Sequence, residues 1–516
     1  MPHRKTIAIV ATTLAGLGAR ISALAAQAIV GIYLTEEQLG SYALAIGVLG
    51  VTAIWRNGGS ATYLPSLRPE EFEVMAPRMF GWASGFAVAT ALLTAAVALS
   101  DPYAPGWLAQ YRVPGLTPLL LVLALQKLVF PVALIGRMRL AVEHRFTSLA
   151  RADAFNALAR LVLTWAVAAN GGGALALAIP YTAGTVFEIV AVAALGGYRR
   201  RDFAVPLGGY RTLAKILAWP LALAVLNSMR LDVSFLVIGA VLPAAALGLF
   251  YFAFQLANQP TMLLATSLQN VLAPMLARSR GSFESERFGM ERVFASAMLF
   301  VPITTMAAAS FFPAAERLVW DGKWAQAGPS VTLLCIGATY ATVAALMLGP
   351  LLGLQRFKAA AWFEFLKMLG IIVGALVGAV LVRAMASGSD ADTPPVTVIS
   401  ATVAVGMVAT SLAQLLWAAG KYGIPGPEVA RNLTFGPLLA GLTAVAATSI
   451  GHSITESFPV GGGRTGAFVE LAAIGSIYTL LIMLALRFTA ESTLRDSVAM
   501  LPPAVRKFAN KVFVLE

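Results

Sequence analysis

Apolar stretches long enough to cross a membrane follow one another along almost the whole 516-residue chain. A membrane-spanning helix needs roughly 20 predominantly apolar residues, and the polar connections between these stretches are too short for a soluble domain of about 100 residues. Charged residues make up 12% of the chain, whereas soluble domains contain about 25%. The sequence therefore predicts an all-α polytopic membrane protein.

Fourteen transmembrane helices account for the apolar stretches. Prolines inside several of them predict bends, because proline removes a backbone hydrogen bond from a helix. The predicted spans are 7–34, 38–65, 78–100, 115–139, 148–170, 174–196, 213–243, 245–277, 290–312, 329–354, 359–384, 396–420, 432–455 and 465–487.

The distribution of basic residues predicts how the chain is oriented. With a cytoplasmic N-terminus, 25 of the 37 Lys and Arg residues lie on the cytoplasmic side, five lie outside and seven lie within spans. Membrane proteins concentrate basic residues on the cytoplasmic side, so we expect both termini there. This topology explains the basic run at 199–201 and most of the net charge of +12 without a nucleic-acid partner.

An internal repeat predicts two lobes. Leu39-Gly40-Ser41-Tyr42 and Leu247-Gly248-Leu249-Phe250 resemble each other and begin the second and eighth predicted helices, six helices apart. A separation by an even number of helices gives both copies the same orientation, and repeat-built transporters bind substrate between the copies. We predict pseudo-symmetric six-helix lobes at 1–200 (N-lobe) and 201–420 (C-lobe), followed at 421–516 by two helices and a cytoplasmic tail.

Seven basic residues fall within the predicted spans, where each cation costs about 2.5–3.5 kcal/mol. Such residues persist where they face water or negative charge. We therefore expect a hydrated, cation-lined chamber between the lobes for an anionic, lipid-linked substrate. The seven residues are Arg20, Arg56, Lys127, Arg151, Arg160, Arg230 and Lys367.

Three matches carry a family resemblance. The first comprises Leu231-Asp232-Val233, Leu247-Gly248-Leu249-Phe250, Ala257-Asn258-Gln259-Pro260 and Val271-Leu272-Ala273-Pro274. The second is Trp320-Asp321-Gly322-Lys323-Trp324, and the third is Arg145-Phe146 with Ala150-Arg151. With these motifs the chain resembles the bacterial polysaccharide flippases of the multidrug/oligosaccharidyl-lipid/polysaccharide transporter superfamily. The resemblance implies a fourteen-helix fold in the inner membrane. It also implies export of an undecaprenyl-pyrophosphate-linked oligosaccharide repeat unit by alternating access, for surface or exopolysaccharide synthesis.

Five cations are the predicted substrate-binding residues: Arg20, Arg56, Lys127, Arg160 and Arg230. Guanidinium groups bind phosphate and carboxylate bidentately, which suits a pyrophosphate-linked sugar. The alternative for each is a structural ion pair.

Other charged residues in the spans have different expected roles. Glu364 and Lys367 are spaced i, i+3, so we expect them to neutralise each other on one helix face. Arg151 marks the membrane interface near a helix start. Asp232 is the candidate for ion coupling, because burial changes the proton affinity of a carboxylate.

Catalysis, metals and cofactors are not expected. Cys335 is the single cysteine, the three histidines are far apart in sequence, and no glycine-rich stretch has the lysine of a phosphate-binding loop. Expected partners are membrane lipid, the lipid-linked oligosaccharide, and a polysaccharide polymerase with co-export proteins.

The alternative function is a multidrug or organic cation antiporter of the same superfamily. A glycan polymerase or ligase needs a larger outer loop, and a membrane scaffold leaves the intramembrane cations unexplained. We expect Trp320 and Trp324 to anchor an outer loop at the membrane interface.

Overall fold

The computed structural model describes residues 18, 21–52, 56–64, 67–100, 115–206, 208–259, 282–353, 356–386, 394–457 and 463–489. These residues form helices and turns without a strand, and ten of the helices are long and apolar enough to cross a membrane. The predicted all-α, multi-pass membrane fold is therefore confirmed. The count of fourteen spans stays a prediction.

The helices are numbered in chain order. They are α1 (Ile21–Tyr33), α2 (Glu36–Thr52), α3 (Ser60–Tyr63), α4 (Pro69–Leu99), α5 (Leu116–Val142), α6 (Phe146–Ala169), α7 (Leu175–Ala194), α8 (Tyr210–Gly239), α9 (244–259), α10 (Phe283–Trp320), α11 (Gly328–Gly353), α12 (Phe357–Ala386), α13 (Pro395–Tyr422), α14 (Gly426–Ser457) and α15 (Arg464–Thr489).

Helices α4 and α10 extend well beyond their predicted ends. α4 begins at Pro69, nine residues before the predicted start at 78, because proline suits a first helical position and Glu71 accepts a hydrogen bond from the Arg68 backbone N–H at 2.9 Å. α10 continues through the predicted outer loop at 313–328 as far as Trp320. Helical propensity extends beyond the apolar core of each span, and hydropathy alone does not detect this extension.

The predicted second helix is interrupted. α2 ends at Thr52, and a 3-10 turn at Arg56–Gly59 precedes the short α3. Gly58 and Gly59 have φ values of 56° and 79°, a backbone conformation that ends a regular helix and that glycine adopts without strain. The prediction of one continuous helix over 38–65 was therefore wrong.

The chain divides into two compact units, Met1–Tyr251 and Phe252–Glu516. In the first unit α5 packs on α4 and α7, α6 packs on α7, and α2 packs on α8. In the second unit α13 packs on α11 and α12, while α10 contacts α11, α14 and α15. The lobes at 1–200 and 201–420 and the C-terminal helices at 421–516 stay a prediction.

The two repeat motifs meet within the first unit. A Cβ atom added to Gly40 of α2 would collide with the Ala244 carbonyl of α9, and one added to Gly248 would collide with the Glu36 carbonyl. Glycine alone permits this close approach of two helix backbones. Nearby, the rings of Tyr42 and Tyr251 lie edge to face with centroids 5.8 Å apart.

Trp324 is a core residue of the second unit. Its side chain is 0% exposed and stacks on Phe252 with ring centroids 4.3 Å apart, while Trp320 lies edge to face on the same ring at 5.2 Å. The Glu316 carboxylate accepts a hydrogen bond from the Trp324 backbone N–H at 2.7 Å. Burial of Trp324 contradicts the predicted interfacial anchor at this position.

Candidate functional site

An exposed arginine lies on the side of α6 that is opposite its apolar, lipid-facing side. Phe155, Leu158, Val162 and Trp165 are exposed and recur every three or four residues, which defines an apolar face for lipid. Arg160 is two residues from both Leu158 and Val162, so it lies about 200° around the helix from each. Its side chain is nevertheless exposed. The Arg160 guanidinium therefore lies on an accessible surface that is turned away from the apolar face of α6.

Its neighbours α5 and α7 repeat this arrangement. Leu121, Leu125 and Leu128 form the exposed apolar face of α5, and Lys127 lies two residues from Leu125. On α7 the exposed residues Val186 and Val190 are each two residues from Glu188. We call the side of α5, α6 and α7 that faces away from these apolar residues the inner polar face.

Two predicted cations meet on the inner polar face. The Lys127 Nζ atom lies 5.8 Å from the ring centroid of Tyr181, and the Arg160 Cζ atom lies 5.6 Å from it. Lys127 is only 6% exposed whereas Arg160 is exposed, so one aromatic ring contacts both a buried ammonium and an accessible guanidinium. Cation–π attraction stabilises both groups without neutralising them.

Buried hydrogen bonds and one glycine fix this geometry. Gln126 Nε2 donates to Thr185 Oγ1 at 3.1 Å, and Thr182 Oγ1 donates to the Val122 carbonyl at 3.0 Å, which joins α5 to α7. The Arg160 side chain packs against Gly184, where a Cβ atom would meet its Cδ atom at 2.6 Å. The positions of Lys127, Tyr181 and Arg160 are therefore set by three packed helices.

Helix α2 packs against α5 and α7, which carry Lys127 and Tyr181, and against α8, which carries Asp232. Asp232 lies on the face of α8 that packs against α2, where Gly50 leaves room for its side chain. The predicted coupling residue and the cation pair therefore lie on helices that share α2 as a neighbour.

A second charged group lies farther along the inner polar face. Arg137 Nη1 contacts Asp153 Oδ1 at 2.5 Å and Glu188 Oε1 at 3.0 Å, and Nη2 contacts Asp153 Oδ2 at 3.1 Å. Asp153 and Glu188 are each seven residues from Arg160 and Tyr181, which is about 10 Å along a helix. This Arg137 triad has one positive and two carboxylate groups.

The structure places the remaining predicted site residues differently. Arg20 lies outside the described residues. Arg56 begins the 3-10 turn that interrupts the second helix, and this turn packs against α4 and α8. Arg230 is half-buried, and its spacing of two residues from Asp232 turns it away from α2.

The turn that carries Arg56 is held by specific contacts. The Gly58 carbonyl accepts a hydrogen bond from Trp82 Nε1 of α4 at 2.9 Å. A Cβ atom on Gly59 would meet the backbone of Leu221, which follows Pro220 in α8. Transporters use interrupted helices of this kind to present backbone groups to a substrate.

Lys367 belongs to a different environment in the second unit. Its Nζ atom lies 2.5 Å from Glu364 Oε1, and both side chains are at most 3% exposed. The predicted i, i+3 pair between these residues is observed. Arg151 is exposed in line with the apolar face of α6, near the start of the helix.

A charged network ties together the ends of α4 and α5 and the connection after α7. Arg139 is 1% exposed and pairs with Glu73, Glu143 and Asp202. Arg199 and Arg201 also pair with Glu73. The basic run at 199–201 therefore has a structural role in addition to the topological role predicted from sequence.

Metal-ligand geometry is not found in the described residues, which contain no group of three or more His, Cys, Asp or Glu side chains able to hold an ion. Tyr181 and Arg137 are the site residues that the sequence did not single out. Tyrosine is ordinary in a membrane helix, and Arg137 lies at the end of the predicted span 115–139, where a basic residue is expected. The signal for both was their spacing, opposite the apolar face of an otherwise lipid-exposed helix.

A family model described as a polysaccharide biosynthesis protein matches residues 70–327, which is half of the chain. The chain belongs to this polysaccharide biosynthesis family. The matched region contains Lys127, Arg137, Arg160 and Glu188, and the assignment confirms the resemblance to polysaccharide flippases. Among curated proteins no significant match was found.

Solved transporters share the fold of this family member. A lipid II flippase, MurJ, in an inward closed conformation aligns with a TM-score of 0.65 and 11% identity over 93% of this chain and 99% of that chain. A MATE protein in complex with MaD5 aligns with a TM-score of 0.52 and 13% identity over 81% and 96%. An outward-facing multidrug resistance MATE family transporter aligns with a TM-score of 0.51 and 13% identity over 81% and 95%. At these identities the similarity establishes a transporter fold and leaves the substrate open.

Proposed function

We propose that the protein is a flippase for an anionic, undecaprenyl-pyrophosphate-linked oligosaccharide repeat unit. It moves this substrate across the bacterial inner membrane by alternating access, with both termini in the cytoplasm, and supplies surface or exopolysaccharide synthesis. A polysaccharide polymerase and co-export proteins are the expected partners. The observation that carries this proposal is the pair of cations, Lys127 and Arg160, on the inner polar face.

Charge and accessibility support an anionic substrate. Among the described residues no carboxylate lies within ion-pair distance of Arg160, so its guanidinium keeps its donors for a ligand. Lys127 adds a second positive charge at the Tyr181 ring, and Arg binds phosphate or carboxylate through two parallel hydrogen bonds. The lipid tail remains in the bilayer while the headgroup crosses along the inner polar face. An organic cation would be repelled at the same place.

Export assays test this proposal with two arginines of one helix. We expect Arg160→Ala to lower export of the native glycan roughly tenfold to hundredfold, because a hydrogen bond to a charged group is lost. Arg151→Ala removes the same side chain from the apolar face of α6 and should leave export unchanged. Surface glycan is measured in a deletion strain complemented with each variant at matched expression.

Equal export by the two variants would remove the role of Arg160. Increased drug sensitivity of the deletion strain with normal surface glycan would instead favour the multidrug antiporter.

A further inference from the structure

Asp153, Asn156 and Arg160 form a polar row along α6. They are spaced three and four residues apart, which places them on one side of the helix, opposite its apolar face. The row extends over about 10 Å of the helix. Arg160 at one end is exposed, and Asn156 in the middle is half-buried. The cation pair therefore occupies one end of a longer polar surface.

Asn156 lies one turn from Arg160 and has a free amide. A Cβ atom on Gly184 of α7 would lie 3.0 Å from Asn156 Oδ1, which is buried and has no hydrogen-bond partner among the described residues. The Nδ2 atom lies on the other side of the planar amide, is turned away from Gly184, and likewise makes no hydrogen bond within the described part of the chain. A buried acceptor without a donor lowers stability, so packing alone does not explain an asparagine at this position.

The far end of the row presents hydrogen-bond acceptors in fixed positions. Arg137 binds both carboxylate oxygens of Asp153 and one oxygen of Glu188. The two carboxylates remain accessible, with side chains 33% and 16% exposed. A carboxylate oxygen accepts more than one hydrogen bond, so both groups can receive further donors.

The two ends of the row suit different parts of a glycolipid headgroup. A phosphate carries negative charge and accepts hydrogen bonds, so it is attracted to Lys127 and Arg160 and repelled by the carboxylates. A sugar hydroxyl both donates and accepts, so it pairs with the Asn156 amide and with Asp153 or Glu188. The row thus offers a place for an anion and, next to it, a place for a sugar.

We propose that Asn156, Asp153 and Glu188 form a saccharide subsite beside the cation pair. The sugar attached to the pyrophosphate hydrogen-bonds to the Asn156 amide and the two carboxylates, while the pyrophosphate lies on Lys127 and Arg160. This inference rests on the proposed function for its ligand. It adds that the protein binds the glycan itself and not only the charged carrier.

Two ligands that differ in the glycan test this subsite. Undecaprenyl pyrophosphate and the lipid-linked repeat unit extracted from the deletion strain are each titrated into the purified full-length protein and its Asn156→Leu variant. We expect the variant to bind the repeat unit more weakly by roughly fivefold to tenfold, because a hydrogen bond to the sugar is lost. Its affinity for undecaprenyl pyrophosphate should be unchanged, which also shows that the variant is folded.

Two further variants sharpen the comparison. Asn156→Ala removes the amide without adding bulk beside Gly184, so it should show the same selective loss. Asn170→Leu changes an exposed asparagine at the end of α6, where Nδ2 donates to the Ala166 carbonyl at 2.7 Å. This control should leave both affinities unchanged.

An equal loss of affinity for both ligands in the Asn156 variants, or no loss for the repeat unit, would overturn the proposal. A selective loss of the same size in Asn170→Leu would also overturn it. Arg160→Ala tests the proposed function separately. If this variant binds undecaprenyl pyrophosphate as well as the wild type does, the anion site is wrong, and the two ligands still decide whether Asn156 belongs to a saccharide subsite.

Discussion

Lys127 in the first unit and Lys367 in the second are both buried in apolar helices, with exposures of 6% and 3%. Lys367 is neutralised by Glu364 within its own helix. Lys127 faces the ring of Tyr181, and Arg160 of another helix contacts the same ring. Two cations that converge on one aromatic ring thus suit an anion site, whereas a carboxylate beside a buried cation indicates a structural pair.

The largest effect on stability is expected from breaking the structural pair. Lys367→Ala leaves the Glu364 carboxylate buried without its ammonium, which should lower the free energy of unfolding by about 3–5 kcal/mol. The double variant Glu364→Leu with Lys367→Met should recover most of this loss, because an apolar pair of similar volume replaces the ions. Denaturant titration of the purified protein measures both. A double variant as unstable as the single one would contradict this interpretation.

At Lys127 we expect a loss of export without a loss of stability. Lys127→Met retains the side-chain volume and removes the charge, so we expect the free energy of unfolding to be unchanged within about 1 kcal/mol. Export of the native glycan should fall roughly tenfold, because one of two positive charges near the substrate is lost. Unimpaired export, measured at matched expression, would place Lys127 with Lys367 as a structural residue.

The smallest effects on stability are expected from replacing two buried glutamines, one near Lys127 and one near Glu364. Gln126 Nε2 donates to Thr185 beside Lys127, and Gln414 Nε2 donates to the Phe363 carbonyl beside Glu364 at 2.7 Å. Replacing either by leucine should lower the free energy of unfolding by about 0.6 kcal/mol, which is typical for hydrogen bonds between membrane helices. Only Gln126→Leu should also reduce export. Equal export losses in both variants would mean that packing, and not proximity to the cation pair, controls transport.

Much of the fold could be predicted from hydropathy, because each membrane span must form its backbone hydrogen bonds within one helix. The interruption near Arg56 could not be read this way, since Gly58 and Gly59 lie in an apolar stretch whose hydropathy is compatible with a continuous helix. The i, i+3 pair of Glu364 and Lys367 is local and could be predicted from spacing.

The inner polar face depends on contacts between helices far apart in sequence. Lys127 and Arg160 were recognised as cations, but their convergence on Tyr181 depends on how α5, α6 and α7 pack. The contact of Arg137 with Asp153 and Glu188 likewise joins three helices. Sequence spacing gives the side of each helix on which a residue lies, and only the packing shows which sides meet.

The glycine crossing of α2 and α9 has an evolutionary consequence. Gly40 and Gly248 occupy equivalent places in the two predicted repeats, and each lies against the segment that contains the other. If the repeats arose by duplication of an ancestral half, a larger residue at this position would have been introduced twice into one narrow crossing. In that case both copies would remain under one shared steric constraint at this crossing.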